Sequence, residues 1–360
     1  MNFDFSDEQK MFADQVRRSL ADTCTMKEVR TVLESSTGLS RATWKALAEL
    51  GVLGAAVPEE RGGAGLGALE LCAAAYEIGY ALAPVPFVAS TGVCAEALRR
   101  YGNDSQQEKW LPLLAEGSAI GTHALSSGGS TLRMEGGRIS GRARLVPYGV
   151  QADLALMQAD SAGGTVLILV PLNGAGVTRK SLMTLDPTRP LADLTFEGVA
   201  AEILPTGNED AVATLVDGAA ILLAFEQVGA AQRALEMARE YALQRTAFGF
   251  PIGTYQAIKH KLADMFIKIE TARVHAYWGA WALSVDAPDL PLAAAGAHLS
   301  ASDALRFAAQ ENVQTHGGIG FTWESDCQFF YRRAQADSLA FGPSQRWRER
   351  IVGALSAQAA

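Results

Sequence analysis

Hydrophobic periodicity changes twice along this chain of 360 residues, and the order of the changes limits the fold more than any other feature. Apolar residues recur at helical spacing from Ser6 to about Asp22, from Arg41 to Leu50, from Ala68 to Leu82 and from Gly92 to Arg100, and QEKWLPLLAEG closes an all-helical first third. Ser6 and Gln9 form a capping box for the first helix. APVP ends the Ala-rich one, because proline cannot continue a helix. After Gly117 the pattern turns into short β-rich or alternating segments (IGTHAL, GRISGRARLVP, ADLALMQAD, GTVLILVPL, LADLTFEGV) parted by Gly, Pro, Asp and Asn turn signals. From Asp210 the helical period returns in three long segments, the third from Leu292 to Thr315, and a last helix is predicted from Ser344 to Ser356. No βαβ alternation occurs, so a doubly wound nucleotide fold is disfavoured and any dinucleotide is bound without a strand-GxGxxG-helix unit. The expected fold is α+β, mainly α: a helical domain over residues 1–117, an antiparallel β domain over 118–206 and a helical bundle over 207–360.

The chain is 49% hydrophobic, enough for a substantial core and too much for a disordered or fibrous segment. With a net charge of −8 and no long Lys/Arg run, nucleic acid and membrane partners are not expected. MNFDFSDEQKMF is acidic where a signal peptide needs a basic start, and no stretch stays apolar long enough to span lipid, so a soluble cytoplasmic protein is expected. Cys24, Cys72, Cys94 and Cys327 lie far apart without CxxC or Cys/His ligand spacing, which predicts free thiols and no metal site. Neither a Ser/His/Asp arrangement nor metal-ligand spacing supports hydrolytic chemistry.

Two blocks stand out, RTAFGFPIGTYQAIKHKLADM from Arg245 to Met265 and QTHGGIGFTWES from Gln314 to Ser325. With them go WxxLAxLG at Trp44 to Gly51, VPEERGGAG after it, and EIG before APVP. In this order they resemble the acyl-CoA dehydrogenase superfamily, whose helical, β, helical plan matches essentially the whole chain. The resemblance implies FAD, an acyl-CoA thioester substrate, an electron-transfer acceptor, and an oligomer in which the second helical domain of one subunit reaches the FAD of its neighbour. By the same resemblance Arg245 supplies a forked cation for the pyrophosphate, and Phe248 packs on the dinucleotide. Gln256 and Gln314 offer amide groups, and Gly317 and Gly318 let backbone N–H groups approach phosphate or ribose. Gln345 in GPSQR falls where relatives place a flavin-contacting glutamine. Each also has a plainer role: Arg245 as the neutraliser of a helix C-terminus, Phe248 as a core residue, the glycine pair as a turn.

Typical members carry a TEPxxGS loop and a WIT strand over the flavin. The matching stretches here are LSSGGS (Leu125 to Ser130), where Ser126 retains a hydroxyl for the flavin, and LVP (Leu145 to Pro147), where Pro147 lacks an N–H. Desaturation at Cα–Cβ needs a base for the α-proton, and the family uses a glutamate. In the commonest subgroup it precedes the glycine of an EGT turn, which here is Phe341; in another it lies ten residues before the glycine matched to Gly229, which here is Ala219. Neither is a carboxylate. Glu226 is a structural residue or a relocated base, Asp217 an exposed helix acid, and His316 and His260 are disfavoured as bases. The expected protein is thus similar to base-lacking subunits of bacterial heterotetramers that desaturate steroid side-chain CoA esters. The alternatives are a self-sufficient homo-oligomeric dehydrogenase with a relocated base, or a non-catalytic acyl-thioester binding or scaffold subunit.

Overall fold

The Gln9 N–H donates to the Ser6 hydroxyl at 3.2 Å and the Ser6 N–H to the Gln9 side chain at 2.9 Å, so the expected capping box starts α1 (Asp7–Thr23). The protein is seen here as a computed structural model that describes residues 5–35, 37–125 and 130–359. After α1 come α2 (Met26–Glu34), α3 (Arg41–Glu49), α4 (Ala68–Tyr80), α5 (Glu96–Tyr101) and α6 (Asp104–Ala115). Periodicity did not disclose α2, a nine-residue helix that buries Val29, Val32 and Leu33. The helix expected from Gly92 to Arg100 is present from Glu96 as α5, but it starts earlier, as a π-helical run, Val88–Ala95, that leads into α5. Every residue of that run is buried, so no polar face marks its limits.

Eight strands follow: β1 (Gly121–Ala124), β2 (Thr131–Glu135), β3 (Arg138–Pro147), β4 (Leu154–Ser161), β5 (Gly164–Pro171), β6 (Val177–Leu182), β7 (Leu191–Ala200) and β8 (Glu202–Ile203). They form one sheet in the order β6-β7-β3-β2-β4-β5-β8, with β1 also on β4. Most pairs are antiparallel, as expected, but β4 runs parallel to β1 from Gly121 opposite Leu154, and to β2 at Arg133 opposite Asp160. Asp153 explains the parallel pair: its carboxylate accepts the Ile120 N–H at 2.9 Å and its own N–H donates to the Ile120 carbonyl at 2.8 Å. Both strands therefore start side by side, with the β2–β3 hairpin forming the excursion between them.

The chain then continues through α7 (Glu209–Gln244), a small hairpin of β9 (Thr246–Ala247) and β10 (Phe250–Pro251), α8 (Gln256–Ser284), α9 (Leu290–His316), α10 (Cys327–Asp337) and α11 (Ser344–Ala359). α10 was also not foreseen; it follows a turn and is short, though Phe329 and Phe330 are buried. α7 is long and apolar enough to cross a bilayer, but 89% of its apolar window is buried inside the protein, which makes it a core helix.

The fold resolves into two compact units. One comprises the chain through Met26, Cys72–Ala83 and everything from Ala220 onward; the other comprises Lys27–Leu71 and Pro84–Ala219. In the second, the Trp44 indole donates to the Gly117 carbonyl at 3.0 Å, the Gln106 amide to the Ile203 carbonyl at 3.1 Å, and the Tyr148 hydroxyl to the Thr188 carbonyl at 3.0 Å, tying helices and strands to their loops. In the first, α8 and α9 run antiparallel, fixed by Lys268–Asp303 at 2.7 Å and Lys261–Glu311 at 2.6 Å. α7 and α9 run parallel, with Gln227 bonded to Ser302 at 3.1 Å and the Tyr241 and His316 rings stacked at 4.2 Å. α4 crosses α7 where glycine stands on both sides. A Cβ on Gly79 would lie 1.9 Å from the Glu226 carbonyl oxygen, and one on Gly229 would lie 2.0 Å from that of Tyr76.

Gly79→Ala or Gly229→Ala should therefore cost about 3 kcal/mol or more by overpacking. Gly353→Ala, in α11, where an added Cβ meets nothing within 4 Å, should be neutral or stabilising. Urea unfolding of the three variants checks this, and equal midpoints would contradict the crossing.

Burial depresses two histidines. His298 is fully buried, neither ring nitrogen has a hydrogen-bond partner among the described residues, and burial, with Arg350 adding to it, lowers its pKa to about 4. Burial likewise brings His123 to about 4. Above pH 6.5 both are neutral whether folded or not; below it the unfolded chain takes up protons that the folded one refuses. Stability should accordingly fall between about pH 6.5 and 4, by roughly 2 kcal/mol per histidine at pH 5. Denaturation at pH 7 and pH 5 should show His298→Leu losing less on acidification by that amount.

Candidate functional site

α7 ends by handing the chain to the β9–β10 hairpin. The Arg245 N–H donates to the Tyr241 carbonyl and the Ile252 N–H to the Arg245 carbonyl, each at 2.8 Å, so the arginine backbone closes the hairpin base. Ala247 pairs with Phe250, which leaves Phe248 and Gly249 as a two-residue turn at φ 53° and 86°. That conformation suits glycine or asparagine and costs a phenylalanine about 1 kcal/mol. The Phe248 side chain is 94% exposed, so the plainer role of a core residue is excluded. Leu243, Phe250, Ile319 and Phe321 nearby in sequence are exposed as well. These apolar side chains were not foreseen, although FGF at the tip of the hairpin was the available signal.

Arg245 is exposed, and its guanidinium has no partner among the described residues. It stands just beyond the last residue of α7, where it also faces that helix's negative end. The Tyr255 hydroxyl donates to the Ala247 carbonyl at 2.8 Å and ties the hairpin to the start of α8. Tyr255 caps α8 without any side-chain hydrogen bond, so the first N–H groups of the helix stay open beside the exposed Gln256.

The far end of α9 arrives at the same place through the Lys261–Glu311 pair and the Tyr241–His316 stack. His316 also holds the Asn312 carbonyl through Nδ1 at 2.9 Å, so it serves α7–α9 packing. Gln314 is exposed, and Gly317, at φ 63°, donates its N–H to the Gln314 carbonyl. The three following glycines separate cleanly. Gly320 is required by packing, since its Cβ would come within 2.5 Å of the Val313 carbonyl, and Gly317 by its backbone angle. Gly318 has neither reason: an added Cβ meets nothing within 4 Å. Arg245, Phe248, Gln256, Gln314, Gly317 and Gly318 thus gather at one end of α7, α8 and α9.

Gln345 does not join them. α11 docks on α9 through the Trp347 ring, 4.7 Å from that of His298, and His298 lies sixteen residues before Gln314, roughly 24 Å along the helix. The Gln345 amide donates to Glu349 at 3.0 Å. Ser126 lies outside the described residues.

No ionisable group occupies either base position. Phe341 sits at φ 59° before Gly342 at φ 106°, and Ala219 is fully buried in α7. Asp217 is 1% exposed, which corrects its expected placement on an exposed helix face: this stretch of α7 is enclosed on all sides. Glu226 is 1% exposed, and its backbone carbonyl forms the floor of the Gly79 contact. His260 is exposed on α8. Among the described residues no cluster of three or more His, Cys, Asp or Glu could hold a metal, and the four cysteines are buried and form no disulfide.

A lone guanidinium, open helix N–H groups, two exposed amides and a glycine pair facing open space form a donor set suited to a phosphate-rich dinucleotide such as FAD.

Comparison with known proteins agrees with this chemistry. The family described as acyl-CoA dehydrogenase, N-terminal domain, matches residues 6–118, and that described as acyl-CoA dehydrogenase, C-terminal domain, matches residues 207–355. The acyl-CoA dehydrogenase IpdE2 of Mycobacterium tuberculosis is 34% identical over 335 residues, 92% of either chain. Among solved structures, a chain of the ChsE4-ChsE5 complex from Mycobacterium tuberculosis superposes with a TM-score of 0.92 at 28% identity, covering 99% of both chains. A Tcur3481-Tcur3483 steroid ACAD variant gives 0.90 at 29% identity, covering 98% of this chain and 99% of that one. The chain belongs to the acyl-CoA dehydrogenase family, FAD-binding oxidoreductases that act on the CH–CH bond of acyl-CoA thioesters, with the family's helical, β-sheet and helical parts.

Proposed function

We propose that this chain is the base-lacking subunit of a heteromeric acyl-CoA dehydrogenase and that it desaturates an acyl-CoA between Cα and Cβ only together with a related subunit. The observation that carries this reading is the absence of a proton acceptor at both expected places, Phe341 and Ala219. A phenyl ring and a methyl group accept no proton at any pH, so the α-proton goes to a carboxylate of the partner. The similarity to the ChsE4-ChsE5 complex and to a steroid ACAD supports a two-component assembly and a bulky acyl group.

Bound FAD supplies the acceptor for the β-hydrogen. The chain's own residues hold it: Arg245 offers parallel N–H donors to the pyrophosphate, the uncapped start of α8 and the Gly317–Gly318 backbone add neutral donors, and Gln256 and Gln314 fix orientation. Phe248 covers an apolar ring surface. Gln345 contacts the flavin at a separate place, because one chain holds it and Gln314 far apart along α9. A complete set of contacts then takes one end from each of two subunits, and the exposed Leu243, Phe250, Ile319 and Phe321 find cover there.

The deciding experiment measures FAD content and acyl-CoA-dependent flavin bleaching for the chain alone and after co-expression with a related subunit. Activity is expected only with the partner; turnover at full rate by the single chain would overturn the proposal.

The glycine pair gives a sharper test of cofactor contact. Gly318→Ala should lower bound FAD at least tenfold while the melting temperature of the flavin-free protein stays unchanged, since nothing within the chain meets the new methyl. Gly317→Ala should in addition lose about 1 kcal/mol of stability, because of its positive φ. Full flavin content in Gly318→Ala would remove the glycine pair from the site.

A further inference from the structure

His316 stands at the cofactor end of α9 with one ring nitrogen uncommitted. Its ring stacks on Tyr241 of α7, the centres 4.2 Å apart, and its Nδ1 lies 2.9 Å from the Asn312 carbonyl oxygen. A carbonyl only accepts, so Nδ1 carries the hydrogen. Asn312 is fully buried one turn back along α9, which gives the imidazole a fixed anchor. Nδ1 is thereby directed back into the helix, and Nε2, across the ring, away from it. The side chain is half-buried, and Nε2 has no partner among the described residues.

The residues around this nitrogen are those of the donor set. Gln314 comes two positions before it, Gly317 and Gly318 follow directly, and Arg245 lies one turn beyond Tyr241. Because α8 and α9 run antiparallel with Lys261 on Glu311, His316 stands level with Gln256.

Charge gives Nε2 a use. A dinucleotide pyrophosphate carries two negative charges near neutral pH, whereas the donor set holds one permanent cation, Arg245, among neutral amides and N–H groups. The other charges near the ring leave room for a second. On α7, Glu240 is turned to Arg233 at 3.6 Å; on α9, Glu311 is paired with Lys261 at 2.6 Å. The first turn of α8 brings Lys259, with His260 just beyond it, both exposed, and the segment after His316 has no charged residue before Glu324. No open carboxylate among these groups would pair with an imidazolium in place of phosphate.

We propose that His316 is a further FAD contact, binding the pyrophosphate through a protonated Nε2, and that FAD binding therefore takes up a proton from solvent. A neutral Nε2 is a bare acceptor and meets phosphate oxygen lone pair to lone pair. Protonated, it becomes a charged donor, roughly twice as strong as a neutral one. Imidazole is the side chain that makes this change near neutral pH. The inference rests on the FAD reading of the Arg245 set and adds to it an affinity that falls as pH rises.

Calorimetric titration of FAD into the flavin-free protein, co-expressed with its related subunit, tests this in Pipes and Tris buffers, whose different heats of ionisation reveal proton uptake. Wild type should take up protons at pH 7 and bind FAD about threefold or more tightly at pH 6 than at pH 8.5. His316→Gln should lose both the uptake and the pH trend, while His260→Gln and Tyr241→Phe, which keeps a ring for the stack, should retain them. His316→Arg, a permanent cation, should bind FAD with equal affinity at both pH values and without uptake. FAD bound by wild type with no proton uptake overturns the inference and leaves the cofactor reading standing, and that result needs no variant to fold. Uptake that survives in His316→Gln, or vanishes in His260→Gln, overturns it equally. No FAD bound at any pH would remove the cofactor reading and this inference with it.

Discussion

Two backbones touch where α4 crosses α7, and the arrangement of the helical unit follows from that contact. Gly79 leaves room for the Glu226 carbonyl and Gly229 for that of Tyr76, so neither helix can rotate or slide without driving main chain into main chain. Charged and aromatic groups fasten the rim. Glu77 holds Arg17 through two hydrogen bonds of 2.7 and 2.8 Å, which joins α1 to α4. Burial raises the Glu77 carboxyl above its ordinary range while the guanidinium draws it back, so the pair fixes orientation more than it adds net stability. Tyr80 donates to Glu236 on α7, and the guanidinium groups of Arg17 and Arg233 lie 5.9 and 5.8 Å from the centre of its ring.

With α7 held in that way, its far end is held too. The parallel run of α9 and the antiparallel run of α8 then bring three separate stretches of sequence, around residues 245, 256 and 317, to one place. None is a site alone. The hairpin offers an arginine and an aromatic tip, α8 an uncapped start and α9 a glycine pair, and the geometry of the bundle makes them one donor surface.

Much of this was legible in the sequence where a residue's role is local. The Ser6 cap, the switch from helical to strand period, and the long helices after Asp210 depend on neighbours a few positions away. The glycines of the second block were legible as a group, but their three distinct reasons were not, because packing, backbone angle and open space look alike in one letter. The π-helical run, α2 and α10 escaped for want of a clear polar face or length. Asp217 was misjudged as exposed, and the plainer alternative for Phe248, a place in the core, fails in the opposite direction. A carboxylate in an enclosed helix and a phenyl ring in solvent both reverse the usual partition of residues, and only tertiary context decides such cases.

Phe248 has a consequence for the life of the chain before assembly. A phenylalanine held out on a left-handed turn, with further apolar side chains exposed on the neighbouring loops, resembles what chaperones and proteases recognise on unfinished protein. A copy without its counterpart would therefore be marked for capture or degradation even though its own core is complete. Abundance of this chain would follow the supply of whatever covers that surface, set after synthesis by the lifetime of the exposed excess.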